Sequence, residues 1–115
     1  MTKQPKPIKF RHRYHKLTKP EFTTIRGAAQ FTRLKVGQRV AIETPDGNFE
    51  AEITALELRR VQSLTIEFLN DDASYPGFVI SSYLDFVHLL NSFRAPMWTQ
   101  VTIDSELTII TLKKL

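Results

Sequence analysis

The sequence contains no cysteine among its 115 residues. That absence excludes a disulfide framework, zinc sites built on cysteine, and a thiol nucleophile or redox centre, and it fits a reducing compartment. No segment approaches the ~18 unbroken apolar residues that a membrane-spanning helix needs. The N-terminal region is basic but lacks the apolar core of a secretory signal. We therefore expect a soluble, cytoplasmic protein without a membrane partner.

The size and composition of the chain are typical of one small globular domain, with 42% hydrophobic and 24% charged residues. Residues 1–7 contain two lysines, two prolines and a single apolar side chain, too little apolar surface to offset the entropy of ordering. We therefore expect a mobile basic arm over residues 1–7 and one folded domain over residues 8–115. A monomer is favoured, and no cofactor is expected.

The net charge of +4 averages over two unlike parts of the chain, divided after Arg39. Residues 1–39 hold eleven bases and one acid, Glu21, which gives them a net charge of +10. The remaining residues hold five bases and eleven acids, a net charge of −6. A field of one sign concentrated in part of a small domain attracts polyanions. The charge distribution therefore favours RNA, or another nucleotide-containing ligand, as the partner.

The first half of the chain predicts a small sheet. Alternation indicates a short strand near Ile8 and Phe10, followed by about one turn of helix over residues 14–18. Residues 22–26 are rich in strand-forming side chains, and Gly27 marks their end.

The clearest local pattern is a hairpin, with strands over residues 36–44 and 49–58. The turn at residues 45–48 reads Pro-Asp-Gly-Asn, in which proline presets one dihedral angle and glycine supplies a positive φ. The apolar face of the second strand slips after Ala55, which predicts a β-bulge or a strand buried on both faces. Such a slip is typical of a sheet that curls toward a barrel.

Two helices are predicted in the second half. Ser63 is a candidate N-cap for a short helix over residues 64–69, which a loop over residues 70–77 follows. Ser82 and Asp85 form a capping box at the start of a longer amphipathic helix, which continues until the chain reaches a proline.

The last strands are expected as a hairpin of residues 101–104 and 107–112 around Ser105. The order of elements predicts an α+β domain with a small curled sheet.

Four short motifs, in this order, resemble the ASCH domain, a member of the PUA-like β-barrel group. Residues 22–26, Phe-Thr-Thr-Ile-Arg, are similar to the end of the family pattern Gly-x-Lys-x-x-(Thr or Glu)-x-Arg. Residues 34–40, Leu-Lys-Val-Gly-Gln-Arg-Val, resemble the start of its barrel hairpin. Gly77 and Phe78 precede the main helix, and a strand over residues 107–112 ends the chain. The resemblance implies a small PUA-like curled β-barrel of about five to six strands with two to three short helices.

The resemblance also implies an alternative function as a nucleoside amidohydrolase. The small bacterial branch of the family hydrolyses N4-acetylcytidine with a lysine in the first motif, the threonine three positions later, and a glutamate near the Gly-Phe pair. Here Thr24 stands at the threonine position, Glu21 replaces the lysine, and Pro76 replaces the glutamate. A threonine without its lysine is a weak nucleophile near neutral pH. The candidate catalytic residues are therefore Thr24, Glu21 and Asp72, and binding without catalysis is the favoured function.

The candidate binding residues come from the basic segment and the family cleft. A guanidinium at Arg26 can grip phosphate or the edge of a base, and it can equally form a structural ion pair with Glu21 or a later acid. A third interpretation is an interaction module whose basic arm contacts an acidic protein or an rRNA assembly. The candidate ligand-binding set is Arg11, Arg13, Lys16, Lys19, Thr24, Arg26 and Tyr75.

Histidines and aromatic side chains add secondary candidates. His12 and His15 have a spacing that metal ligands use, but with no cysteine and only Glu21 nearby we expect no metal site. His88 is expected at the edge of the packed face of its helix. The candidates for stacking on a base are Tyr14, Phe22, Tyr75 and Trp98.

Overall fold

Strands and short helices alternate along the chain, which the computed structural model describes over residues 7–10, 13–73, 77–92 and 101–115. The strands within these ranges are β1 Ile8–Lys9, β2 Glu21–Gly27, β3 Arg39–Thr44, β4 Gly47–Arg60 and β5 Glu106–Lys114. The helices there are α1 Gln30–Arg33, α2 Ile66–Ala73 and α3 Tyr83–Ser92, with single 3₁₀ turns at His15–Thr18 and Val61–Ser63. These elements confirm an α+β domain.

The five strands form one sheet in the order β1-β3-β4-β5-β2. Only β1 and β3 pair in parallel, and the other described neighbours are antiparallel. Although β1 and β2 are at opposite edges of this order, Arg26 on β2 donates to the carbonyl of Lys9 on β1 at 3.2 Å. The sheet must therefore curl until its two edges meet. This confirms the predicted small curled sheet, with five strands.

The long hairpin of β3 and β4 forms as its turn residues predict. Thr44 pairs with Gly47, so the turn itself contains only Pro45 and Asp46. Gly47 has a φ of 132°, a backbone region that side chains with a Cβ rarely adopt. The predicted β-bulge is confirmed, because the pairing of β4 with β5 shifts register between Ile53 and Ala55. The extra residue bends β4 and increases the curl of the sheet.

The curled sheet has an apolar layer on each face. The inner face is closed by β1 and the chain that follows it, and its buried side chains are Ile8, Phe10, Tyr14, Phe22, Val40, Ile42, Ala51, Ile53, Ile110 and Leu112. On the outer face, α2 and α3 pack against Ile25, Leu107 and Ile109. Alternation along β2 and β5 supplies both layers, since successive side chains of a strand point to opposite faces.

The predicted start and length of α2 were wrong. Thr65, not Ser63, caps the helix, because its hydroxyl accepts a bond from the backbone N–H of Phe68 at 3.0 Å. The Ser63 hydroxyl donates instead to the carbonyl of Arg60. The helix also continues to Ala73, through residues predicted as loop. Its last turn is held by buried contacts made with distant parts of the chain.

The predicted terminal hairpin was also wrong, because residues 101–104 form no strand. Both backbone groups of Val101 bond to the Asn91 side chain on α3, at 2.8 and 3.2 Å. The backbone N–H of Gln62 donates to the carbonyl of Ile103 at 3.0 Å. These partners use the groups that a second strand would need, so the chain ends in the single strand β5.

Helix α3 begins where the capping pattern predicts. The hydroxyl of Ser82 accepts from the N–H of Asp85 at 3.2 Å. The carboxylate of Asp85 accepts from the N–H and hydroxyl of Ser81, one residue earlier than a capping box requires. These bonds lower the pKa of Asp85. Within the described ranges, no helix is long and apolar enough to cross a membrane.

Candidate functional site

A buried ion pair joins the His15–Thr18 turn to α2. The Nζ of Lys16 lies 3.1 Å from Oδ1 of Asp72, and the two side chains are only 3% and 5% exposed. The hydroxyl of Thr23 on β2 donates to the same carboxylate oxygen at 2.7 Å. Buried charges are tolerated when they are paired and hydrogen-bonded in this way. We call these three residues the Lys16 cluster.

Two aromatic rings complete the surroundings of the lysine. The Nζ of Lys16 lies 5.0 Å from the ring centroid of Phe10 and 5.3 Å from that of Tyr14. Ring faces attract a cation, most strongly where water is excluded. Burial nevertheless lowers the pKa of Lys16, because the loss of hydration disfavours the charged amine more than Asp72 stabilises it.

Arg26 lies beside this cluster and is held from three directions. Its Nε donates to the hydroxyl of Thr24 at 3.1 Å, and its Nη2 donates to the carbonyl of Lys9 at 3.2 Å. Its guanidinium carbon is 5.2 Å from the ring centroid of Phe10. Burial lowers the pKa of Arg26, but an arginine stays charged at neutral pH. Among the described residues Arg26 forms no ion pair, so the structural pair with Glu21 is absent there.

The guanidinium retains donors that the described residues do not use. It has five N–H groups, and the bonds to Thr24 and Lys9 occupy two of them. The partners fix the plane of the group, which is the requirement for binding a phosphate or carboxylate with two parallel bonds.

A cleft of about 560 Å³ lies where β2 ends and α1 begins. Its lining includes Arg26, Gln30 and Arg33, together with Glu106 and Leu107 at the start of β5. Pockets of ~300–1,000 Å³ with apolar walls and a few polar groups are typical of small-ligand sites. We call it the Arg26 cleft.

Two further bases of residues 1–39, Arg13 and Lys19, form ion pairs with acids of the later chain. The Nε of Arg13 lies 2.8 Å from Oδ1 of Asp46, in a pair whose side chains are 68% and 65% exposed. Lys19 pairs with Asp71 at 2.6 Å, also at the surface. Together with Lys16, these contacts neutralise three of the bases that the charge distribution had assigned to a ligand.

The predicted catalytic residues are only partly brought together. Asp72 joins the Lys16 cluster, whereas Thr24 is buried and bonds to Arg26. Glu21 is exposed at the start of β2, opposite Lys113.

Of the predicted stacking residues, the structure describes Tyr14 and Phe22 but not Tyr75 and Trp98. Tyr14 and Phe22 are buried in the inner layer of the sheet, where no base can stack on them. Residues 1–6, including most of the predicted arm, lie outside the described residues, as do Arg11, His12, Tyr75, Pro76 and Trp98.

Two features of the site were not predicted. Gln30 and Arg33 line the Arg26 cleft from a helix of four residues, too short to give a periodic signal. Lys16 was predicted as a ligand-binding residue, but it is buried, and its partner lies 56 positions away in a segment predicted as loop. The capping threonine at Thr65 was the available sequence signal for the start of α2.

These observations define the class: a small α+β domain with a curled sheet, a buried lysine–aspartate pair and a basic cleft. No family model matches the chain, and no solved structure matches it. The chain is 43% identical over 88 residues to "Uncharacterized protein MJ0364" of Methanocaldococcus jannaschii, a match that covers 75% of this chain and 77% of that protein. The chain therefore belongs to the same family as that archaeal protein.

We predict that Asp72→Asn lowers the free energy of unfolding by ~3–5 kcal/mol, because it leaves the Lys16 charge buried without a partner. Asp71→Asn is the matched control, since the neighbouring aspartate pairs with a lysine at the surface. That change should cost no more than ~1 kcal/mol. Urea unfolding measures both. Equal losses for the two variants would contradict the assignment of a buried pair.

The lowered pKa of Lys16 predicts a dependence of stability on pH. Between the lowered value and the ordinary value of 10.5, the unfolded chain binds a proton that the folded chain has lost. Stability therefore rises with pH across that window. Urea unfolding of the wild type and of Lys16→Met, from pH 7 upward, isolates the effect. The stability of the wild type relative to the variant should increase with pH, and a decrease would mean that Asp72 raises the pKa instead.

Proposed function

We propose that the chain is an ASCH-type module that binds RNA or a nucleotide at the Arg26 cleft. The observation that carries the proposal is the arrangement of Arg26, a partly buried cation with a fixed plane and unused donors, at the wall of a cleft of ligand size. A second cation, Arg33, is exposed on the same cleft. Two arginines facing one acid, Glu106, suit a phosphate group.

The distribution of the remaining positive charge supports the same cleft. Three described bases of residues 1–39 are in ion pairs. The described bases of that part outside ion pairs are Lys9, Arg26, Arg33, Lys35 and Arg39. Most of them lie on or near α1, so the field that attracts a polyanion is directed there. The cytoplasm, where RNA is abundant, is the compartment in which we propose that the protein acts.

We predict that Arg33→Ala weakens the binding of a fluorescent octauridylate about tenfold, because it removes one charge-assisted phosphate contact. The slope of log K against log salt should fall by ~0.7. Fluorescence anisotropy over a salt series measures both quantities.

Arg39→Ala is the control for the Arg33 variant, since it removes the same charge from an exposed arginine on β3. Its affinity should stay within about twofold of the wild type, the range expected for a change in the long-range field alone. Equal losses for the two variants would show that the field acts without a specific cleft. Absence of octauridylate and uridine monophosphate binding at low salt would contradict the proposed function.

A second candidate, hydrolysis of an N4-acylated cytidine, is supported by the Lys16 cluster. The ASCH hydrolases combine a lysine, a threonine and an acid, and Glu21 replaces the lysine of their motif. Lys16, Thr23 and Asp72 are the same three residue types, with the lysine and the threonine both within hydrogen-bond distance of the aspartate. A lysine with a lowered pKa is a better base or nucleophile than an ordinary one. In the described arrangement Lys16 and Asp72 are closed to solvent and Thr23 is partly buried, so a substrate reaches the lysine only if α2 or the 15–18 turn moves.

We predict for this candidate that N4-acetylcytidine is converted to cytidine and acetate, with water consumed, and that chromatography detects both products. Lys16→Met should abolish turnover, because it removes the amine. Asp71→Asn, which alters only the surface pair, should leave it unchanged. Unaltered substrate after long incubation at high enzyme concentration would remove this function and leave binding as the proposal.

A further inference from the structure

A second groove, of about 410 Å³, lies between the His15–Thr18 turn and the turn that joins β3 to β4. Arg13, Asp46, Phe49 and Lys114 are among its lining residues. Lys114 ends β5, whereas Leu107, near the start of the same strand, lines the Arg26 cleft. At ~3.3 Å per residue, this separation along the strand is about 23 Å. The groove and the cleft are therefore separate sites at the two ends of one strand.

Lys114 is held in place at this groove. Its Nζ donates to the backbone carbonyl of Leu17 and lies 4.9 Å from the ring centroid of Phe49. An ammonium group has three N–H donors, and the described residues use one of them. Two contacts thus position a cation that still has donors for a ligand, so little side-chain entropy is lost when the ligand binds.

Arg13 provides the second cation, and its present partner can be displaced. Its Nε bonds to Asp46 at 2.8 Å, but both side chains are mostly exposed. Exposed ion pairs contribute little, typically ~0–1 kcal/mol. A phosphate that approaches Lys114 can therefore take the place of the aspartate. Asp46 reduces the affinity of the groove for anions, and its removal should increase that affinity.

We propose that this groove is a second phosphate-binding site, which takes the backbone of single-stranded RNA whose other segment lies in the Arg26 cleft. The inference rests on the proposed function for the identity of the ligand. Eight nucleotides span about 24 Å even at the 3.4 Å spacing of a duplex strand, so an octanucleotide can reach both sites. A mononucleotide cannot. A comparison of the octanucleotide with the mononucleotide therefore distinguishes binding across both sites from binding at one site.

The test compares Arg13→Ala with Asp46→Asn, which remove opposite charges from one ion pair. Arg13→Ala should weaken the binding of octauridylate about two- to fivefold and lower the salt slope by ~0.7. Asp46→Asn should strengthen binding by a similar factor. Neither variant should change the binding of uridine monophosphate at the Arg26 cleft, the part of its binding that Arg33→Ala weakens. If the pair only supports the fold, both variants should instead weaken binding and stability together.

Failure of this inference is distinguishable from failure of the proposed function. If octauridylate binds and responds to Arg33→Ala, but not to either variant of the Arg13–Asp46 pair, the groove proposal is wrong and the cleft proposal stands. If octauridylate responds to Arg13→Ala and Asp46→Asn in opposite directions but not to Arg33→Ala, RNA binds at the groove and the proposed function of the Arg26 cleft is wrong. An octaglutamate peptide that binds as tightly as octauridylate, with the same response to both variants, would overturn the choice of RNA as the occupant.

Discussion

The contact between Lys16 and Asp72 connects two consecutive elements, the 15–18 turn and β2, to α2, whose aspartate lies 56 positions after the lysine. The 15–18 turn supplies the amine, α2 supplies the carboxylate, and β2 supplies the Thr23 hydroxyl that satisfies the same oxygen. An unpaired charge in this dry environment would be strongly unfavourable, so each element must occupy the position that pairs it. A similar ion pair forms at the surface between Lys19, which follows the 15–18 turn, and Asp71, which precedes Asp72 on α2. The placement of α2 outside the sheet depends on this interaction together with the apolar packing of Leu69 and Ala73.

Arg26 connects the two edge strands of the sheet. Its bond to the carbonyl of Lys9 joins strands that are not neighbours in the hydrogen-bonded order. Its contact with Phe10 places a cation over an aromatic ring inside the curled sheet. The contact between the two edges of the sheet and the fixed orientation of the guanidinium thus depend on the same side chain. The structural interpretation and the binding interpretation of Arg26 are compatible.

In the folded chain, part of the positive charge of residues 1–39 is neutralised by acids of the remaining residues. Three acids of the negative part neutralise three bases of the positive part. The described bases left outside ion pairs include Arg26 and Arg33 at the Arg26 cleft, and Lys114, which belongs to the negative part and lies at the second groove. The place to which the folded chain attracts anions is therefore defined by which cations are left unpaired. The total charge does not define it.

The sequence by itself determined the features that depend on neighbouring residues. The β3–β4 hairpin follows from its turn chemistry, the bulge from the slip in alternation, and the start of α3 from the Ser82 cap. Tertiary contacts decided the rest. Asn91 and the backbone near Gln62 took the hydrogen-bonding groups that a terminal hairpin would have used.

Local sequence patterns do not predict ion pairs between residues that are far apart in the chain. Nothing near Lys16 distinguishes it from the other bases of its segment, because its burial depends on an aspartate 56 positions later. The extent of α2 follows from the same pair. Local sequence specifies backbone geometry through turns, caps and alternation, whereas the choice of a charge's partner depends on which side chains the folded sheet brings together.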